Sequence, residues 1–334
     1  MTLSAPRHVI AGALAGALAL GVAGCGAGAS LVGVGDAPAQ VTTAAPIGRD
    51  AAQKVAERVL SQAAAAQAAP ATQAQRLRTA SLTGSALAVA DAAAKLGSTA
   101  ASPTTAPLTR TDPPKVLAVS RGTDWPRVIL VQTTSGEGAA VLNLLTSPDA
   151  ATPFRLSSSV TMQPGTEVAA LDPLDEGSPR VTAATKLAVQ PDELLTEYAA
   201  SLAYPKPTPA KAVATNDPFS TAVRANAAAQ AKAFGTLATL QQKHTVHPVQ
   251  TVSLALRGGG ALVFSLLERT DTITLKPGGK SLTPSAEFQR LVGKKALSRN
   301  AVLRSYETVA FTVPAEGKAS VVGADEVLFS AKGS

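Results

Sequence analysis

"KVLAVSRGTDWPRVILVQTTSGEGAAVLNLLTSPDAATPFRLSSSVTM", residues 115–162, decides the fold. It holds four short β-prone runs: KVLAVSR, PRVILVQTT, AAVLNLLTS and FRLSSSVTM. Turn-forming residues separate them at Gly122 to Asp124, Ser135 to Gly138 and Ser147 to Pro153. Short strand-like runs at this spacing predict an antiparallel meander.

Helical patterns precede the meander. RDAAQKVAERVLSQAAAAQ (49–67) reads as a helix that Asp50 can cap, with Val55, Val59 and Leu60 on one face and Pro70 beyond its end. RLRTASLTGSALAVADAAAKLG (76–97) fits a helix or a strand followed by a helix. Residues 98–114 are rich in Ser, Thr and Pro and form a loop that Pro113-Pro114 closes.

The same order returns downstream. PDELLTEYAASLAYP (191–205) places Leu194, Leu195, Tyr198 and Leu202 at helical spacing. DPFSTAVRANAAAQAKAFGTLATL (217–240) opens with Asp217 as N-cap and Pro218 at the first helical position. Phe219, Val223, Ala227, Ala231 and Phe234 mark its apolar stripe. Strands resume in VQTVSLALRGGGALVFSLLERTDTITL (249–275), where Val252, Leu254 and Leu256 alternate with smaller or polar residues. A short helix at 284–293 and two strands, VLRSYETVAFTV and ASVVGADEVLFSA, complete the pattern.

Helices followed by antiparallel strands, twice over, predict an α+β fold. The expected architecture is two tandem domains, 50–180 and 181–334, each with helix packed on a curved meander sheet. The layout resembles the cystatin-like and NTF2-like superfolds, which host enzymes, carriers and scaffolds alike. The resemblance therefore implies a fold and no activity.

The N-terminus implies an address. Arg7 and His8 give a positive start, and Val9 to Ala23 is uncharged, about the length of a signal-peptide apolar region. It ends Val22-Ala23-Gly24-Cys25, and Cys25 is the sole cysteine of 334 residues. This resembles the lipobox of bacterial lipoproteins. The resemblance implies diacylglyceryl transfer to the Cys25 sulfur and cleavage before it, so that 1–24 is a signal peptide. The Gly, Ala and Pro-rich residues 25–49 then read as a flexible tether. With its Ala, Pro and Arg bias, the whole resembles uncharacterised lipoproteins of actinobacteria. The expected location is the outer face of the cytoplasmic membrane.

Composition narrows the chemistry. Hydrophobic residues make up 46% and aromatic residues only 3%, so the core must be Ala, Val and Leu, and base-stacking surfaces are disfavoured. No nucleic-acid partner is expected. A net charge of +7 suits anionic lipid headgroups or cell-envelope polymers. One cysteine allows neither a disulfide framework nor a cysteine metal site.

Each chemical motif has a plain structural reading. His244 and His247 in KHTVHP precede Pro248 and read as a surface turn; no metal or cofactor is expected there. RGGGA (257–261) reads as a hairpin, because strand and not helix follows it. PGGKS (277–281) lacks the first P-loop glycine, which is Thr274 here. Asp172, Asp175 and Glu176 in LDPLDEG read as a charged turn between domains. Lys294, Lys295 and Arg299 form a small basic cluster, a candidate contact for anionic lipid, envelope polymer or a protein partner. Trp125, the sole tryptophan, can anchor a ligand from its loop or fold back onto the core. No G-x-S-x-G or S-x-x-K motif is present. The expected protein is a non-enzymatic, lipid-anchored binding or scaffold protein. The alternatives are a carrier of lipid or other hydrophobic molecules, and a hydrolase with His244 or His247 buried beside a carboxylate.

Overall fold

Alanine spacing in the first helix sets how closely the first sheet can approach it. The computed structural model of the chain describes residues 44–97, 112–247, 251–278 and 281–334. The signal segment, Cys25 and most of the tether lie outside the described residues. Helix α1 (Arg49–Ala68) buries Ala52, Ala56, Val59, Leu60 and Ala63, a stripe of mostly small residues at helical spacing. The ambiguous stretch after Pro70 is two helices, α2 (Ala71–Ser81) and α3 (Gly84–Leu96). Between them Leu82 is extended and bridges Leu156, and the Thr83 N–H donates to the Leu156 carbonyl. The strand alternative thus survives as one joint.

The four expected strands follow as β1 (Lys115–Val119), β2 (Arg127–Thr134), β3 (Ala140–Ser147) and β4 (Arg155–Thr161). They form an antiparallel sheet in the order β1-β2-β3-β4. Ile129, Val131, Leu145 and Leu156 face α1. Their neighbours Leu130, Leu142, Leu144 and Val160 face the other way, into a second apolar layer. Both faces are covered, which is why β2 and β3, at the centre of the sheet, read as nearly continuous apolar runs.

The second region contains α4 (Pro191–Ser201), α5 (Pro218–Phe234), β5 (Ala238–Val246), β6 (Val252–Ala255), β7 (Ala261–Leu275), α6 (Ala286–Val292), β8 (Asn300–Val313) and β9 (Ser320–Gly333). Asp217 caps α5, accepting from the Ser220 N–H at 2.9 Å. The helix expected over 217–240 stops at Phe234, and Gly235 takes a φ of +54°. Residues 238–246 are strand, where sequence reading placed a helix end and a surface turn. Burial alternates along ATLQQKHTV, with Ala238, Leu240, Gln242 and His244 buried. Two of those four are polar, so no apolar alternation marks the strand.

The second sheet is five-stranded and is not a plain meander. Its order is β5-β7-β8-β9, and β6 also pairs with β7. The 15-residue β7 meets β6 over Ala261–Phe264 and β5 over Leu267–Leu275, so two strands share one edge end to end. Gly258, Gly259 and Gly260 all have positive φ between β6 and β7, the hairpin expected of RGGGA.

The fold is α+β with two helix-plus-sheet regions, and all described residues fall in one compact unit, Thr42–Ser334. Leu130, Leu142, Leu144 and Val160 of the first sheet pack directly on Leu254, Leu262, Phe264 and Val322 of the second. The other face of the second sheet carries α4, whose Leu194, Leu195 and Tyr198 meet Val263, Leu267, Val309 and Phe311. Helix α3 straps the two sheets, burying Ala92 and Leu96 against Val327 while Ala86, Leu87 and Ala90 pack with α1's core. Each fully buried Leu or Phe contributes about 1.5–3 kcal/mol. At the seam the Thr161 N–H donates to Asp325 Oδ2 at 2.6 Å, and Met162 bridges Gly323. A Cβ on Gly323 would lie 2.8 Å from the Thr161 carbonyl oxygen, so only glycine permits this approach. Among the described residues, no helix is long and apolar enough to cross a membrane.

Candidate functional site

Side chains two apart on a strand share a face, so charge inside an apolar alternation stands out. On β7 the face that meets α4 runs Ala261, Val263, Leu267, then Arg269 and Asp271, then Ile273. On β8 it runs Val313, Phe311, Val309, then Glu307 and Ser305, then Leu303. Apolar blocks thus flank a polar band. Glu326 of β9 pairs in register with Glu307, and His244 and Gln242 of β5 pair with Arg269 and Asp271.

The band is an ionic network. His244 Nδ1 lies 2.8 Å from Glu307 Oε2, and neither side chain has any exposed surface. Arg269 is the hub. Its Nε donates to Asp271 Oδ2 at 3.0 Å, its Nη1 to Glu326 Oε2 at 2.8 Å and to Glu307 Oε1 at 3.4 Å, and its Nη2 to Glu326 Oε1. Among the described residues, three carboxylates gather around this guanidinium and the His244 imidazole. His244 Nε2 and Asp271 Oδ1 are buried without a hydrogen-bond partner.

Burial and charge compete at each group. Burial pushes the Glu307 carboxyl up, but His244 and Arg269 outweigh it and hold Glu307 below its ordinary range. Burial dominates at Asp271 and Glu326, which stay raised despite Arg269. Burial would lower the Arg269 pKa, but Glu326, Glu307 and Asp271 drive it above its ordinary value.

Part of the network opens to a groove of about 320 Å³ beneath α5. Arg269, Asp271, Glu326 and Gln242 form its floor, and Val223, Asn226, Ala227, Ala229 and Gln230 of α5 form its wall. Gln242 is fixed from below, its Nε2 donating to the Leu202 carbonyl at 2.9 Å beyond the end of α4. His244 and Glu307 are not among the lining residues.

The residue 44–333 stretch that builds this groove matches the model of a domain of unknown function, DUF8094. The chain belongs to the DUF8094 family. No curated protein and no solved structure matches it.

Of the residues singled out from sequence, His244 joins the network, and the others that the DUF8094 domain contains lie elsewhere in it. Trp125 is half-buried in the β1–β2 loop, with the Arg127 guanidinium 4.3 Å from its ring centroid and the Arg180 Nη1 donating to its carbonyl at 2.8 Å. Lys294, Lys295 and Arg299 are exposed between α6 and β8, and the Lys294 Nζ donates to the Gly333 carbonyl at 2.9 Å. Asp172 and Glu176 pair with Arg121 in a charged turn, at 3.2 and 3.8 Å. Cys25 lies outside the described residues. The surface turn expected at both histidines is corrected at His244, which sits mid-strand and 6% exposed. His247, just past β5, approaches Glu268 at 3.6 Å. Arg269, Asp271, Glu307 and Glu326 were missed. For Arg269 and Asp271 a signal was available: RTD in LLERTDTITL puts two charges at the parity of the buried leucine.

Proposed function

We propose that this chain is an extracytoplasmic binding protein, lipid-anchored through Cys25 at the outer face of the cytoplasmic membrane. The groove beneath α5 is where its ligand would sit. One observation carries the binding reading: Asp271, 7% exposed, lines the groove with one carboxylate oxygen unpartnered. Leaving a buried polar atom unpaired costs about 1–3 kcal/mol, so a site that keeps one gains when a ligand satisfies it. The lipobox resemblance at Val22–Cys25 supports the anchor, and the layout of each half supports a cystatin-like or NTF2-like origin.

Two other readings draw less support. A hydrophobic carrier needs an open apolar concavity, whereas the apolar faces of the first sheet are taken up by α1 and by the second sheet. A hydrolase draws on the His244–Glu307 pair, but both side chains are enclosed and neither lines the groove. That supports a positioning role for the pair, which holds Arg269 in place.

The test is mass spectrometry of protein extracted from membranes of its native host, denatured and native in parallel. A lipid-sized increment on a chain starting at Cys25, lost in Cys25→Ala, supports the anchor. A small molecule retained in the native spectrum supports binding. An unmodified chain that still begins at Met1 would remove the anchor, and native spectra with no retained mass would remove the ligand.

A further inference from the structure

We propose that the groove beneath α5 selects a small aliphatic cation, an amine or guanidine whose charged end sits beside Asp271. The proposal rests on the binding-protein reading above and names its ligand class.

Charge is the first argument. Among the described residues, the network sets the carboxylates of Asp271, Glu307 and Glu326 around the guanidinium of Arg269, with His244 turned to Glu307. Glu307 is served by His244 and Arg269, and Glu326 by two nitrogens of Arg269. Asp271 receives Arg269 on Oδ2 alone, and its Oδ1 receives nothing. A donor cation placed there completes the set. An anion in the same place would face Asp271 and Glu326 with the Arg269 charge already engaged by both, and on balance be repelled. Burial holds both carboxyls above their ordinary range, and a bound cation would draw them down again.

Shape and lining are the second argument. About 320 Å³ lies at the small end of ligand pockets and suits a short organic molecule better than a bare ion. Val223, Ala227 and Ala229 offer methyl surface to a methylene chain, while Asn226, Gln230 and Gln242 offer amide donors and acceptors. Among the described residues, no three of His, Cys, Asp or Glu converge as a metal set. The donor arrangement therefore favours an organic cation that spans the groove over a metal ion at one point.

Agmatine, which carries a guanidinium and an amine on a four-carbon chain, is the probe, and n-butanol is the uncharged control. Isothermal titration of the full chain is expected to show saturable agmatine binding at submillimolar concentration and none for butanol. Asp271→Asn is expected to weaken binding by about tenfold or more. Ala229→Phe, on the exposed side of α5, leaves the ion network intact and fills the groove; it should weaken binding comparably even if Asp271→Asn fails to fold. Wild type that does not bind agmatine at about 10 mM, or Ala229→Phe that binds like wild type, overturns the proposal. Native mass spectrometry separates this failure from failure of the binding reading. A retained neutral or anionic molecule, or a bound basic protein segment, overturns the small-cation assignment while binding itself stands. An empty groove with no agmatine affinity overturns both.

Discussion

In the first sheet, Ile129 and Leu145 meet a helix on one face while Leu130 and Leu144 meet another sheet on the opposite face. In the second sheet, one face is apolar where Leu262, Phe264, Ala310 and Val322 meet the first sheet, while the face under α4 and α5 changes character along its length. Leu267 and Val309 give way to Arg269, Asp271 and Glu307 before Ile273 and Leu303 restore the apolar pattern. Burying three carboxylates is costly, because each must be desolvated and then compensated. The contrast sets a half built on apolar layers against a half that also buries an ionic network, the candidate site.

The sharpest way to break this comparison is at the hub. Glu307→Ala strips His244 and Arg269 of their shared partner and should lower unfolding free energy by about 3–5 kcal/mol, read by urea denaturation. A loss comparable to that of an exposed pair would mean the network contributes nothing to the fold. At the seam between the sheets the sign reverses. Burial pushes the Asp325 carboxyl up to about 7, opposed by the Thr161 hydrogen bonds. The folded protein then holds a proton that the unfolded chain releases near pH 4, so stability falls as pH rises from about 4 to 7 and levels off above. Asp325→Asn keeps an acceptor for Thr161 and should gain up to about 4 kcal/mol at pH 8, with the gain vanishing near pH 3.5. Thermal melts across that range check it; a pH-independent difference would refute the buried proton.

Smaller effects sharpen the same contrast. Gly323→Ala forces a methyl against the Thr161 carbonyl at the seam and should cost about 1–3 kcal/mol in denaturant melts. Lys186→Ala removes an exposed pair with Glu316 at 2.8 Å and should change stability by less than about 0.5 kcal/mol. A larger change there would show that surface charge, and not the buried band, sets the electrostatics of this half.

The elements legible in the sequence were those whose residue types matched their surroundings. Runs such as PRVILVQTT are apolar on both faces and bounded by turns, so β1 to β4 emerged within a residue or two. Asp217-Pro218 likewise announced α5 through its cap. Strand β5 was hidden because Gln242 and His244 hold its buried positions, and polar residues there read as solvent-facing. The candidate site was hidden for the same reason, since it exists only where four strands, β5, β7, β8 and β9, align in register. Arg269, Glu307 and Glu326 are far apart in the chain, and one sequence carries no record of their pairing. Only the parity of Arg269 and Asp271 with Leu267 was readable beforehand.

The layer shared by the two sheets has a consequence for the order in which the chain can fold. Synthesis delivers β1 to β4 well before Phe264, Ala310 and Val322, the residues that cover their second face. Until β6 to β9 are made, Leu130, Leu142 and Leu144 lack the residues that cover their apolar plane. The earliest-made sheet thus waits for the later one to cover its second face, and that interval runs from the fourth strand to the ninth.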